Sequence, residues 1–183
     1  MSDPMDTKTA RAEGPGSMGP NATSRVGVRL AGNTKEDIDT VVRLISEAVG
    51  ESRYRDLPFS EDRLREFVQQ GVQASKLFGF ILAERSLPDG GKSGIGVVCA
   101  MAGMLPFADV VSCGTLLFYV TPSARSPRVA ALLTESFKRW SQNRRAYEAT
   151  FHVTMGSNND NRVSKLLELY GFAPSGGSHF KDL

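Results

Sequence analysis

Apolar residues follow two spacings along the chain, one typical of strands and one typical of helices. Over residues 26–30, apolar residues alternate with small or charged ones, which predicts a strand. After the capping pair Asn33-Thr34, apolar residues recur at helical spacing with acidic residues in the first turn, and this helix is predicted to end at Gly50. Ser60 is predicted to cap a second helix.

The rest of the chain alternates strands with helices. Two strands, over 77–83 and 94–105, are predicted to form a hairpin across the glycine-containing turn between them. Ser126-Pro127 occupies the cap and first-turn positions of a long helix, and Gly171 is predicted to end a shorter one. The other strands are predicted at 113–120, at 147–155 and, as one or two short pieces, after Phe172.

The order of these elements predicts the class of fold. One strand and two helices are followed by three strands and then by strand–helix crossovers. This order is typical of an α/β (α+β) protein with a mixed, mostly antiparallel central sheet. We expect six or seven strands in that sheet, with helices on both of its faces.

Residues 1–25 differ in composition from the rest of the chain. They are rich in proline and glycine and hold almost no large apolar side chains. Burial of apolar surface therefore cannot offset the entropy lost on ordering them. They are predicted to be a disordered leader or a tether that orders on a partner, whereas residues 26–183 are predicted to form one domain.

Composition narrows the classes of function. The chain has 183 residues, and its formal net charge of +2 gives no reason to expect nucleic acid or an anionic membrane as an obligate partner. Cys99 and Cys113 lie in apolar stretches and are predicted to be buried thiols. With two histidines and no closely spaced cysteine pair, no metal site is predicted. The longest apolar run is shorter than a membrane span and no secretory leader is recognised, so a cytoplasmic location is predicted.

One segment carries a recognisable motif. Val120, Pro122, Arg125 and Ala130 lie between the fourth predicted strand and the long helix, at the spacing V-x-P-x-x-[RQ]-x-x-G-x-[GA]. This segment resembles the acetyl-CoA loop of the GNAT superfamily of N-acetyltransferases. The run Leu169-Tyr170-Gly171-Phe172 resembles the closing L-G-F of the same family.

The resemblance implies a GNAT-like acyltransferase domain over residues 26–183. It also implies acetyl-CoA as the cosubstrate and a primary amine that attacks the thioester directly. The acceptor is expected to be a small molecule or a protein, and a homodimer is left open. Residues 51–54 together with Phe59 resemble a branch of the superfamily that is common in phage genomes.

The chemistry of the loop agrees with an anionic ligand. A strand that leads directly into a helix presents free backbone N–H groups at the positive end of the helix dipole, which favours a pyrophosphate. Residues 125–145 hold six basic side chains against one acidic side chain. Backbone N–H groups at the end of the fourth strand are expected to hold the acetyl oxygen and the pantetheine amides. The predicted acetyl-CoA-binding residues are Phe118, Tyr119, Val120, Arg125, Ser126, Arg128, Val129 and Ala130.

The sequence departs from the family pattern at two functional positions. Arg128 replaces the loop glycine, and the neighbouring Pro127 has no N–H to donate. The family's frequent general acid is a tyrosine four residues before the final glycine, and Leu167 stands at that position. Tyr170 lies three residues further along the same helix, displaced by about 4.5 Å.

Several residues are candidates for catalysis. Glu51 is the first candidate for the base, because it follows a helix end within an acidic stretch, residues 35–66, that would attract a cationic amine. The next candidates for the base are Asp109 and Glu47. Tyr54 and Tyr170 are candidates for the acid that protonates the thiolate, and Tyr119 is a further one. His152, on a predicted central strand, is interpreted as a structural residue or as a base near the thioester.

Two hypotheses of function follow. The first is an acetyl-CoA-dependent N-acetyltransferase, which Arg125 and Ala130 favour. The second is a GNAT-fold binding or structural module with weak or no turnover. Arg128, Leu167 and the segment 1–25 favour the second hypothesis.

Overall fold

The computed structural model describes residues 25–152 and 160–175 as one sheet with helices against it. The strands are β1 Val26–Leu30, β2 Phe78–Ser86, β3 Lys92–Met104, β4 Val111–Val120 and β5 Glu148–Thr150. The helices are α1 Lys35–Gly50, α2 Glu61–Gln73, α3 Pro127–Asn143 and α4 Asp160–Leu169, with one 3₁₀ turn at Pro122–Ala124 before α3.

The sheet is mixed and mostly antiparallel, as the sequence predicts. Its strands lie in the order β1-β2-β3-β4-β5. The first three pairings are antiparallel, and β4 pairs with β5 in parallel. The parallel pairing requires the chain to cross over between these strands, and α3 makes that crossover.

The number of strands is smaller than the sequence predicts. The described residues form a sheet of five strands, whereas six or seven were expected. After Phe172 the described chain has no strand up to residue 175. Pro174 cannot donate a ladder hydrogen bond, and the ring of Phe172 packs edge-on against Phe151 at 5.9 Å. The rest of that predicted strand region and residues 153–155 of the predicted fifth strand lie outside the described residues.

Three helices begin at the predicted caps. The side-chain oxygen of Thr34 accepts from the N–H of Asp37 at 3.2 Å and starts α1. Ser60 caps α2, and the side-chain oxygen of Ser126 accepts from the N–H of Val129 at 3.4 Å to start α3. Each cap satisfies a first-turn N–H group that has no partner within its own helix.

Helices cover both faces of the sheet, which confirms the predicted layering. On one face α3 packs Leu133, Phe137 and Trp140 against β2, β3 and β4. On the other face α1 and α2 bury a second apolar cluster against the same strands. Cys99 and Cys113 are buried free thiols, as predicted. In the described part of the chain, no helix is both long and apolar enough to cross a bilayer.

An ion-pair network joins α1 to the sheet. The guanidinium of Arg29 on β1 donates to both carboxylate oxygens of Asp37, at 2.8 and 2.6 Å. It also donates to both carboxylate oxygens of Glu84 on β2. Asp37 is nearly buried. The network therefore holds the first turn of α1 close to the edge of the sheet.

Candidate active site

The parallel strands β4 and β5 separate within the sheet and open a fork. Within the described ranges, their ladder holds three residue pairs and ends at Gly114↔Thr150, while β4 continues to Val120. From the order strand, helix, strand we expect these two strands to run parallel and to part after Val120. They are parallel, but among the described residues their pairing ends at Gly114, six residues before that point.

A bulge in β4 gives a physical reason for the fork. The register with β3 changes from Cys99↔Leu117 to Ala100↔Thr115, so Leu116 is an extra residue in β4. Such a bulge bends its strand and increases the local twist. Just past the end of the ladder, the N–H of His152 donates to the hydroxyl of Thr115 at 2.8 Å. The bend therefore directs the rest of β4 away from β5.

The fork exposes one backbone edge of β4. Alternate backbone groups of a strand point to opposite sides. Among the described residues, the groups of Thr115–Val120 that point away from β3 have no ladder partner on β5. Such an edge can bind an extended, amide-bearing molecule by strand-type hydrogen bonds.

The loop after β4 places two arginines beside the first turn of α3. Arg125 precedes the cap Ser126, and Arg128 is exposed at the second helical position. Pro127 has no N–H, and the cap already engages the N–H of Val129. The N–H of Arg128 is therefore the first-turn donor that has no partner within the helix. This helix start offers fewer backbone donors than a glycine-containing loop would.

Glu51, Tyr119 and Arg125 form a cluster at the end of β4. Glu51 follows α1, and its carboxylate accepts from the hydroxyl of Tyr119 at 2.6 Å and forms an ion pair with Arg125. The Nε of Arg125 also donates to the carbonyl of Val120 at 3.1 Å. The cluster therefore joins the α1–α2 loop to the predicted acetyl-CoA loop.

The cluster changes the ionisation of two of its members. Partial burial works against the charged form of Glu51, but the hydrogen bonds from Arg125 and Tyr119 outweigh it and lower the pKa of Glu51. Burial, followed by the hydrogen bond to this carboxylate, raises the pKa of Tyr119. Glu51 is consequently a weak base and Tyr119 a weak acid while the cluster is intact.

Tyr54 and Tyr170, the other predicted acid candidates besides Tyr119, lie in different surroundings. The hydroxyl of Tyr54, in the loop after α1, accepts from the guanidinium of Arg53 at 2.6 Å. Tyr170 follows the end of α4, is half-buried, and its N–H bonds to carbonyls of the last helical turn. Leu167, at the family's acid position, is buried with 6% of its surface exposed. The hydrocarbon side chain of Leu167 has no acidic proton to donate.

His152 lies at the fork. It is exposed and comes two residues after the last paired residue of β5. A Cβ placed on Gly114 would stand 3.5 Å from the Nε2 of His152, so the imidazole lies over the bare backbone of this glycine. The sequence predicts a central strand position for His152, and this is wrong for the described residues, because β5 is the last strand of their sheet and His152 follows its end. The alternating pattern could not show that a glycine faces this histidine.

Solved acetyltransferases share this architecture. The aminoglycoside N-acetyltransferase AAC(6')-Iy, in complex with the bisubstrate analogue CoA-S-monomethyl-acetylneamine, has a TM-score of 0.64 and 18% identity, over 87% of this chain and 99% of that chain. A GCN5-related N-acetyltransferase from Ralstonia eutropha JMP134 gives 0.65 and 15%, over 86% and 99%. A ribosomal-protein-alanine N-acetyltransferase from Brucella melitensis biovar Abortus 2308 gives 0.60 and 14%, over 87% and 99%.

At these identities the comparisons establish the fold. The chain has the fold of the GCN5-related N-acetyltransferases, which confirms the predicted resemblance at that level. No protein-family model matches the sequence, and no curated protein matches it. The resemblance of residues 51–54 and Phe59 to a phage branch stays a prediction.

Proposed function

We propose that this protein is an acetyl-CoA-dependent N-acetyltransferase that transfers acetyl to a primary amine. The observation that carries the proposal is the fork between β4 and β5, whose open strand edge leads to an arginine-bearing helix start. The fork lies in a fold shared with an enzyme solved in complex with CoA.

The residues around the fork fit acetyl-CoA. Arg125 already pairs with an anion, the carboxylate of Glu51, so its surroundings accommodate negative charge. Arg128 adds a backbone N–H and a second guanidinium at the same helix start. The pantetheine amides would bind the open edge of β4. The proposed acetyl-CoA-binding residues are Phe118, Tyr119, Val120, Arg125, Ser126, Arg128, Val129 and Ala130.

His152 is the proposed proton acceptor. Bound acetyl-CoA supplies a thioester carbonyl, which the neutral amine attacks as the C–N bond forms and the C–S bond breaks. The proton released from nitrogen needs a base within reach. His152 lies at the inner end of the fork, beside Thr115, whereas Glu51 pairs with Arg125 at the loop end, beside Val120. These two ends of β4 are five residues apart, roughly 16 Å at strand spacing.

The proposed site has no tyrosine at the position from which the leaving thiolate is frequently protonated in this fold. The buried Leu167 replaces the tyrosine that frequently serves in this fold. The proton then comes from water or from one of the candidate tyrosines Tyr54 and Tyr170. We therefore expect slow turnover.

Leu167 also supports a second candidate function. A protein of this fold that binds acetyl-CoA without efficient turnover would act as a binding or structural module. Pro127 and Arg128, which reduce the backbone donors at the start of α3, favour the same alternative. The two candidates differ in whether free thiol appears after acetyl-CoA binds.

The acceptor is proposed to be a cationic amine. The α1–α2 region, residues 35–66, carries nine acidic and six basic side chains. A net negative surface attracts ammonium groups. The structural neighbours include an aminoglycoside enzyme and a ribosomal-protein-alanine enzyme, so a small polyamine and a peptide amino terminus are the first acceptors to test.

The test measures free thiol released from acetyl-CoA with neamine, spermidine and an alanine-terminated peptide. We expect thiol release with at least one acceptor. We also expect that His152→Gln lowers kcat at least tenfold with the KM for acetyl-CoA within twofold. His179→Gln is the matched control, since it removes the chain's other histidine. Binding of acetyl-CoA without thiol release would favour the binding module, and an unchanged kcat in His152→Gln would remove this residue from the mechanism.

A further inference from the structure

Arg125 is occupied by groups of the protein itself. Its guanidinium forms an ion pair with Glu51, donates to the carbonyl of Val120, and lies 5.9 Å from the ring centre of Tyr119. The same side chain is the proposed phosphate ligand. A phosphate group and the Glu51 carboxylate present the same chemistry to a guanidinium, because each offers a negatively charged pair of oxygen acceptors.

We infer that Glu51 competes with the phosphates of acetyl-CoA for Arg125 and so lowers the affinity of the protein for its own cosubstrate. This inference rests on the proposed function. In the structure, the carboxylate of Glu51 pairs with the guanidinium of Arg125 and accepts a hydrogen bond from the hydroxyl of Tyr119. Binding of the cosubstrate exchanges one anion for another at Arg125 and leaves Glu51 bonded to Tyr119.

The exposure of the pair permits this exchange. The side chains of Glu51 and Arg125 are 40% and 37% exposed, and ion pairs at such sites are weak because water competes with them. A pyrophosphate carries more negative charge than one carboxylate, so it binds the guanidinium in preference. The protein must still break the internal pair first, and this cost reduces the observed affinity.

Glu47 distinguishes competition at Arg125 from a general effect of negative charge. It lies on α1 one helical turn before Glu51, and its carboxylate is paired with Arg43 at 2.6 Å. Glu47 also acts electrostatically on Tyr119, so it belongs to the same neighbourhood. Replacing Glu47 removes the same charge as replacing Glu51, but it leaves the contact with Arg125 intact.

The experiment titrates the full chain with acetyl-CoA and with S-acetyl-pantetheine, which lacks the phosphates, in a calorimeter. We expect Glu51→Gln to bind acetyl-CoA about three- to fivefold more tightly than the wild type, as the loss of an exposed ion pair allows, and Glu47→Gln to stay within twofold of it. S-acetyl-pantetheine should not distinguish Glu51→Gln from the wild type. In an Arg125→Ala background, Glu51→Gln should give no further tightening, because the residue it would release is gone.

The outcomes separate this inference from the proposed function. If the wild type binds acetyl-CoA and Glu51→Gln binds it equally or more weakly, Glu51 supports Arg125 rather than competing for it, and the inference is overturned. If neither protein binds acetyl-CoA, the proposed function itself fails. Thermal unfolding checks that each variant is folded, and Glu51→Ala replaces Glu51→Gln if the amide variant is not.

Discussion

Contacts between residues far apart in sequence define the site. Glu51 and Tyr119 are separated by 68 positions, and Glu51 and Arg125 by 74. The motif around Arg125 predicts a phosphate ligand from local spacing alone. It contains no signal that a carboxylate from the end of α1 is the partner of this arginine.

Leu167 tests whether the family's acid position is usable in this chain. The side chain of Leu167 is buried, so Leu167→Tyr places a larger, aromatic side chain in a packed site. Overpacking of this kind costs about 1–3 kcal/mol. We expect the free energy of unfolding, measured with urea, to fall by that amount. The same variant should be assayed for thiol release, because a faster rate at unchanged stability would mean that position 167 faces the fork.

Asp37 provides a pH dependence of stability. The hydrogen bonds from Arg29 lower the pKa of Asp37 below its ordinary value near 3.8, despite the opposing effect of burial. A lowered pKa in the folded state stabilises the protein at every pH above the unfolded value, and this contribution is lost as pH falls through the folded value. Asp37→Asn should therefore cost about 1.5–3 kcal/mol at pH 7.

The difference in the free energy of unfolding between the wild type and Asp37→Asn should shrink as the pH falls below about 4, where the carboxylate begins to be protonated in the unfolded chain. Urea unfolding at pH 7, 5 and 3 measures it. An equal difference at all three pH values would show that the charge of Asp37 contributes nothing. The cost would then come from the shape of the side chain.

At the scale of elements, a glycine allows α3 to lie close to the sheet. A Cβ added to Gly79 on β2 would overlap the indole nitrogen of Trp140 and stand 2.9 Å from its Cζ2. We expect Gly79→Ala to destabilise the fold by about 1–3 kcal/mol, because the rigid ring cannot move without shifting the helix. Gly103→Ala is the matched control, since nothing lies within 4 Å of a Cβ there. Equal urea midpoints for the two variants would contradict this packing.

Local sequence signals predict where the helices begin, whereas the extent of strand pairing depends on contacts between distant parts of the chain. The caps at Thr34, Ser60 and Ser126 are side-chain effects over three residues, and all three are observed. The end of the β4–β5 ladder at Gly114 depends on a bulge opposite β3, and alternation of apolar residues cannot reveal it. Of the strand region predicted after Phe172, the structure describes residues up to 175, which form no strand, and there the ring of Phe172 packs on Phe151.

At the scale of the whole molecule, the part of the segment 1–25 that precedes Ser24 is predicted to be dispensable for folding. It offers no apolar face, and the first described contact is the carbonyl of Arg25, which accepts from the N–H of Ser86 at 2.9 Å. A chain starting at Ser24 keeps that contact. Its Tm should lie within about 2 °C of that of the full chain, since about 1 kcal/mol shifts the Tm of a domain of about 150–250 residues by about 2–4 °C. A larger fall, or dissociation of an oligomer seen in sedimentation, would make the segment a packed element or a tether.

Calorimetric titration of the wild type and Arg125→Ala with acetyl-CoA tests whether the protein binds this cosubstrate through its arginine-bearing loop. Arg139→Ala is the matched control, because it removes an exposed positive charge from the C-terminal half of α3. We expect the wild type to bind, Arg139→Ala to bind within about twofold of it, and Arg125→Ala to bind about 10- to 100-fold more weakly, as expected for the loss of a charge-assisted hydrogen bond. No binding by the wild type, or equal binding by wild type and Arg125→Ala, would contradict the proposed binding.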